Sequence, residues 1–134
     1  MRSRLSTWLL SIVVTVFAAS GVTAAPALPT QTSSQSGVTV KITPRTLAAG
    51  TWEFEVVFDT HSQELTDDLE KTAVLVSDAR ASHSPLQWQG DPPGGHHRKG
   101  VVQFKPVSPM PASIELQIKR GGETAPRSFR WQLK

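Results

Sequence analysis

Apolar and polar residues alternate with a period of two along most of the chain from Val38 onward. The clearest run covers 52–59, where one side carries Trp52, Phe54, Val56 and Phe58. Successive side chains of a strand point to opposite faces, so this run predicts a strand whose aromatic side faces the core. Similar patterns predict six further strands, at 38–43, 72–77, 86–90, 102–104, 113–119 and 128–133.

One segment, 62–71, has helical features: Thr66 can cap it, and Asp67 and Asp68 would lie in the first turn, where carboxylates suit the helix dipole. It is long enough for one or two turns. About seven strands, separated by glycine and proline turn signals, predict an all-β fold, namely a single immunoglobulin-like antiparallel β-sandwich. A small β-barrel is the alternative.

The N-terminus has the layout of a secretory signal peptide. Arg2 and Arg4 precede an apolar run, and small residues follow that run. Cleavage is expected after Ala24 or Ala27, which assigns 1–27 to the signal peptide. The protein is therefore expected to be periplasmic or secreted, and to contact a membrane only if the signal peptide stays uncleaved.

The composition predicts a spacer segment, and it argues against a disulfide-stabilised protein and against a nucleic-acid-binding protein. Residues 28–37 are polar and of low complexity, which predicts a disordered spacer before a β-sandwich domain at 38–134. The chain has no cysteine, so disulfides do not hold it together. The full chain has a net charge of +3, and this value falls close to zero when residues 1–27 are left out. No nucleic-acid partner is therefore expected.

Acidic residues are concentrated in 28–97 and basic residues in 98–134. The favoured interpretation is that opposite charges pair across neighbouring strands, with the basic residues on alternating outward positions. A basic patch that binds an anion is the alternative.

Two segments contain candidate metal ligands. Asp59 and His61 follow the aromatic strand, and they would share its outward face if the strand continued to His61. His96 and His97 lie in a glycine-rich loop, Gly94–Gly100. Imidazole and carboxylate groups bind zinc and copper, so Asp59, His61, His96 and His97 together predict a Zn or Cu(II) site. The neighbouring cations in the loop oppose a bound metal.

The same loop permits a second interpretation. The consecutive N–H groups of Gly94 and Gly95 can form an anion-binding concavity, and Arg98 offers a planar fork to a carboxylate or phosphate. The anion can be a ligand or one of the protein's own carboxylates. In the latter case the histidine and arginine side chains form an internal network that holds the loop on the sheet.

Catalysis has little support in the sequence. There is no cysteine nucleophile and no Gly-x-Ser-x-Gly motif, and the triad residue types in 59–62 are sequence neighbours, whereas triads are assembled from distant segments. We therefore expect no enzyme but an exported binding protein, with Cu(II) or Zn as the leading ligand. The alternative is a structural or interaction β-sandwich whose loop contacts a protein or an anionic ligand.

Several motifs together resemble a group of small, uncharacterised exported prokaryotic proteins. They are the strand FEVVFDTHS at 54–62, the Asp-Asp-Leu turn at 67–69, the GGHHRKG loop with the strand after it at 94–104, and the aromatic strand at 129–131. The resemblance covers about 38–134 and implies no activity. It supports treating the two histidine segments as one unit.

Overall fold

The computed structural model describes residues 27–48 and 50–134 as two antiparallel β-sheets with one short helix. The all-β class and the two-sheet architecture are therefore confirmed. The predicted signal peptide, apart from Ala27, lies outside the described residues. Within 27–48 and 50–134, no helix has the length and apolar character needed to cross a membrane.

The strands, in chain order, are β1 (Gln31–Gln35), β2 (Val38–Thr46), β3 (Trp52–Thr60), β4 (Ala73–Ser77), β5 (Ser82–His83), β6 (Gln87–Gly90), β7 (His97–Phe104), β8 (Ser113–Ile118) and β9 (Arg127–Gln132), with α1 (Leu69–Thr72) between β3 and β4. Sheet A has the order β1-β2-β3-β7-β6, and sheet B has the order β5-β4-β8-β9. Every pair of neighbouring strands is antiparallel.

The core lies between the two sheets and is built mainly by the residues that the period-two pattern assigned to it, with Leu65 and Leu69 from the segment after β3. All four aromatic-side residues of β3, from Trp52 to Phe58, are buried. Phe54 meets Phe104 edge to face, with ring centres 5.8 Å apart, and it also packs on Trp131. Such aromatic pairs contribute about 0.5–1.5 kcal/mol beyond the apolar area that they bury.

The polar segment 28–37 differs from the predicted disordered spacer, because Gln31–Gln35 forms β1 and pairs with β2. Its side chains are polar on both faces, so no period-two signal marks it as a strand. Main-chain hydrogen bonds hold it instead. The guanidinium of Arg127 adds to them by donating to the carbonyl oxygens of Ser33 at 3.0 Å and Gln35 at 2.9 Å.

Two other boundaries also differ from the prediction. β2 continues through Pro44, and its pairing with β3 has a register irregularity after that residue. The strand tolerates Pro44 because β1 pairs only as far as Ile42, so the missing N–H costs no hydrogen bond on that side. The helix is limited to Leu69–Thr72, and its N-cap is Asp68, whose carboxylate accepts a hydrogen bond from the Glu70 N–H at 3.2 Å.

Candidate functional site

The pairing of β3 with β7 brings the two histidine segments together at one end of sheet A. Asp59 lies opposite His97, and Phe58 lies opposite Arg98. The Thr60 N–H continues the contact by donating to the His96 carbonyl oxygen at 2.9 Å. β7 thus begins at His97, so the second half of the predicted loop is a strand whose main chain is fixed by β3.

Asp59 and His97 form a contact on the outer face of the sheet. His97 Nδ1 lies 2.5 Å from Asp59 Oδ1, and the two side chains are 60% and 49% exposed. Because water screens so exposed a pair, it contributes at most about 1 kcal/mol to stability. With Nδ1 held by a carboxylate, the second ring nitrogen of His97 has the orientation that metal-binding histidines usually have.

His61 and His96 are exposed at the same end, but they do not complete a cluster with this pair. β3 ends at Thr60, whose hydroxyl donates to the Gly37 carbonyl oxygen at 2.8 Å, so His61 lies in the bend that follows. The predicted sharing of one strand face by Asp59 and His61 does not occur. In the described part of the chain, no group of three or more His, Cys, Asp or Glu residues is arranged to hold a metal ion.

Arg98 points to the opposite side of β7 from His97 and is 1% exposed. Its Nη1 donates to the carbonyl oxygens of Asp67 at 2.7 Å and Leu65 at 3.3 Å, and its Nη2 donates to that of Asp91 at 3.2 Å. One guanidinium therefore ties together the loop after β3 and the loop before β7. It is not open to an anion from solvent.

The partners of Arg98 were predicted to be an anion, and they are mainly main-chain carbonyls. Burial lowers the pKa of Arg98, and the nearby carboxylates of Asp67, Asp91 and Asp68 oppose that shift. The guanidinium stays charged, since arginine is protonated far above neutral pH. Its Nε is buried without a hydrogen-bond partner among the described residues.

Trp88 covers the other side of this guanidinium. Its ring centre lies 5.5 Å from the Arg98 guanidinium carbon, and its indole N–H donates to the Asp91 carbonyl oxygen at 3.1 Å. The ring passes over Gly100, where an added Cβ would come within 2.6 Å of it and within 2.7 Å of the Gly90 main chain. The glycine at position 100 is thus required by the close approach of Trp88 and β6.

Gly94 and Gly95 join the two loops through the main chain. The Gly94 N–H donates to the Leu65 carbonyl oxygen at 2.8 Å, and the Leu65 N–H donates to the Gly95 carbonyl oxygen at 3.0 Å. Both glycines have positive φ, +118° and +70°, a conformation that side chains disfavour. The predicted anion concavity is absent at Gly94, because its N–H is used by Leu65.

A buried charge network below this end of the sandwich was not predicted. The Asp67 carboxylate accepts two hydrogen bonds from Arg120, at 2.9 and 3.1 Å. Arg120 also contacts Glu123 at 3.2 Å, and Glu123 accepts two bonds from Arg127, at 2.8 and 2.9 Å. The chain of ion pairs links the loop after β3, the turn between β8 and β9, and β9, and hydrogen bonds from Arg127 extend it to the carbonyl oxygens of β1.

The network shifts the pKa of its central carboxylate. Hydrogen bonds from Arg127 lower the pKa of Glu123 to about 2, with help from the Gln35 amide and from the positive charges of Arg127 and Arg120. Burial lowers the pKa of Arg120, but its bonds to Asp67 and Glu123 outweigh this, so that pKa is raised.

Sequence reasoning placed the basic residues on outward positions, and three arginines are buried instead. A signal for this was present. Each of these arginines lies two residues from an inward-facing position of its strand, so the alternation of the strand places it on the core side as well. They are Arg98, Arg120 and Arg127. An arginine at a core position indicates a buried ion pair or a set of carbonyl acceptors.

Comparisons of the chain with protein-family models, curated proteins and solved structures find no match. The resemblance stated from the motifs therefore stays a prediction.

Proposed function

We propose that the protein is an exported, non-catalytic interaction domain of immunoglobulin-like type, and that its histidine-bearing end contacts a protein partner. The contact region is the histidine surface, defined as Asp59, His61, His96 and His97. Export is supported by the signal-peptide pattern in the sequence.

The strand order supports the immunoglobulin-like type. β2-β3-β7-β6 corresponds to strands A, B, E and D of that fold, and β5-β4-β8-β9 corresponds to C′, C, F and G. β1 is an addition that pairs with the outer edge of β2. A domain of this size can be held by its hydrophobic core without the inter-sheet disulfide of antibody domains.

The observation that carries the interaction role is the clamp formed by Arg98. Its buried guanidinium fixes the loops that bear His61 and His96, while both imidazoles remain exposed. A rigid surface loses little conformational entropy when a partner binds, so more of the contact energy appears as affinity. The clamp thus prepares the histidine surface for binding.

Site-specific photo-crosslinking in the producing cell tests this role. A photoreactive residue at position 61 or 96 should form a discrete adduct with one protein. The same residue at Lys105, exposed beyond the opposite end of β7, is the matched control and should form none. Adducts of equal yield from all three positions, or none from 61 and 96, would contradict the proposal.

A divalent transition metal, Cu(II) or Zn, is the second candidate ligand, and the Asp59–His97 contact favours it. A carboxylate that holds one ring nitrogen orients the other toward a metal and makes it more basic. The two cations that follow His97 in the sequence were expected to oppose a metal, but each of them interacts with another part of the protein. Arg98 points inward, and Lys99 lies 3.8 Å from the Glu55 carboxylate.

Calorimetric titration with Cu(II) and with Zn(II) tests the metal. If it binds, His97→Ala should abolish stoichiometric uptake, and Asp59→Asn should weaken affinity about 10- to 100-fold. His83→Ala, which changes the histidine of β5 on the other sheet, is the control and should bind as the wild type does. Absence of stoichiometric binding, or equal loss in the control, would eliminate this candidate.

A further inference from the structure

The outer face of sheet B contains a groove of about 750 Å³, formed by β4, β8, β9 and the turn after β4. It lies on the other sheet from the histidine surface. The residues that define its chemistry are Val76, Arg80, Glu115, Gln117, Arg130 and Gln132.

Arg130 supplies a guanidinium on the β9 side of the groove. It pairs across the sheet with Glu115, and Arg130 Nη2 lies 3.4 Å from Glu115 Oε1. Glu115 is 18% exposed, and its pKa is lowered by hydrogen bonds from Ser128 and Gln117 and by Arg130. The carboxylate is thus ionised and occupied within the sheet, whereas the Arg130 side chain is 76% exposed and keeps donors for a ligand.

Arg80 supplies a second guanidinium on the β4 side. It lies in the turn between β4 and β5, closed by hydrogen bonds of Ser77 with Arg80 at 2.9 Å and with Ala81 at 3.0 Å. Its φ of +58° is the left-handed conformation that this tight turn requires. Among residues 27–48 and 50–134, no ion pair involves Arg80.

The other acid of the groove is also occupied. The Asp78 carboxylate accepts a hydrogen bond from the Ala112 N–H at 2.9 Å. The groove therefore offers two exposed guanidinium groups and side-chain amides, while both of its carboxylates are bonded to the protein. Guanidinium groups bind carboxylates through paired, charge-assisted hydrogen bonds.

We propose that this groove binds an acidic peptide segment, with Arg80 and Arg130 each engaging a carboxylate and Gln117 and Gln132 bonding to the peptide main chain. A peptide is favoured over an acidic sugar because sugar sites use exposed aromatic faces. The aromatic residue that lines the groove, Trp131, is buried. This site is independent of the proposed histidine surface.

Titration of the purified protein with capped pentaglutamate, followed by calorimetry and by amide NMR shifts, tests the groove. Shifts are expected in β8, β9 and the turn that contains Arg80. Arg80→Ala and Arg130→Ala should each weaken binding about tenfold, the loss expected for one hydrogen-bonded charge. Both residues are exposed, so thermal unfolding should verify that the variants fold as the wild type does.

Arg45→Ala is the matched control, because it removes one exposed arginine from sheet A and should leave the affinity unchanged. Capped pentalysine and pentaglutamine should not bind. The proposal is overturned if pentaglutamate does not bind at millimolar concentration, or if Arg45→Ala weakens binding as much as Arg130→Ala. Binding of a trigalacturonate in place of pentaglutamate would also overturn it in favour of an acidic sugar.

Discussion

Glu123 lies between two buried guanidinium groups, and its replacement by glutamine should destabilise the protein strongly. The substitution keeps the size of the side chain and removes its charge. Arg120 and Arg127 both form an ion pair with the Glu123 carboxylate, and both would lose it. For Arg127, Glu123 is the only acid with which it forms an ion pair in the described residues. A buried charge left without its partner typically costs about 3–5 kcal/mol.

The magnitude also follows from the pKa of Glu123. Its shift from 4.5 to about 2 in the folded protein corresponds, at 1.36 kcal/mol per unit, to about 3 kcal/mol of stabilisation of the charged form. The side chain is 5% exposed, so screening by water reduces this value little. We therefore expect Glu123→Gln to lower the free energy of unfolding by about 3 kcal/mol at pH 7.

The pH dependence has a definite sign. Because the folded-state pKa lies below the unfolded one, the contribution is fully present above about pH 4.5 and is lost as the pH falls toward 2. Urea unfolding of the wild type and the variant should give curves whose difference is constant near neutral pH and shrinks between pH 4.5 and 2.

Glu64→Gln is the control for this experiment, because Glu64 is exposed in the loop after β3. It should change stability by less than about 0.5 kcal/mol. The reasoning is refuted if Glu123→Gln and Glu64→Gln have equal stability at pH 7. It is also refuted if the loss caused by Glu123→Gln does not depend on pH down to 2.

Three further substitutions test other parts of the structure. Arg98→Ala should destabilise the protein by about 3 kcal/mol or more. It should also speed hydrogen exchange at the Leu65 amide, because Arg98 fixes the loop that contains Leu65, and unchanged exchange there would contradict the clamp. Asp59→Asn should lower the free energy of urea unfolding by at most about 1 kcal/mol, and a larger loss would mean that the exposed pair with His97 is structural. Gly100→Ala should cost about 1–3 kcal/mol in the same assay because its methyl group would meet Trp88 and β6, and wild-type stability would refute that close approach.

The sequence was enough to predict which segments form the candidate site, but it was not enough to predict the role of each residue within it. The motifs favoured a single feature built from Asp59 and His61 on one side and the loop at 94–100 on the other, and the pairing of β3 with β7 brings these segments together. The roles within it were not predictable. His97 became a strand residue facing out and Arg98 one facing in, because the main chain at these positions is fixed by β3 rather than by its own glycines.

The sequence by itself determined the fold class and the faces of the main strands. A period-two pattern is a property of a few consecutive residues, and burying its apolar side is favourable in any arrangement of two sheets. That is why the core side of β3 follows from its four residues Trp52 to Phe58 alone.

Only the tertiary structure decided that β1 is a strand and which acceptors surround the buried guanidinium groups of Arg98, Arg120 and Arg127. β1 is polar on both faces, so its order depends on hydrogen bonds from β2 and from Arg127, which is 92–94 residues away from the carbonyls that it binds in β1. A guanidinium can be buried only where carbonyls or carboxylates meet it. Glu123 is near Arg120 and Arg127 in sequence, but most of the other acceptors, such as those of Leu65, Asp67 and Ser33, come from segments distant in sequence, and no local pattern contains them.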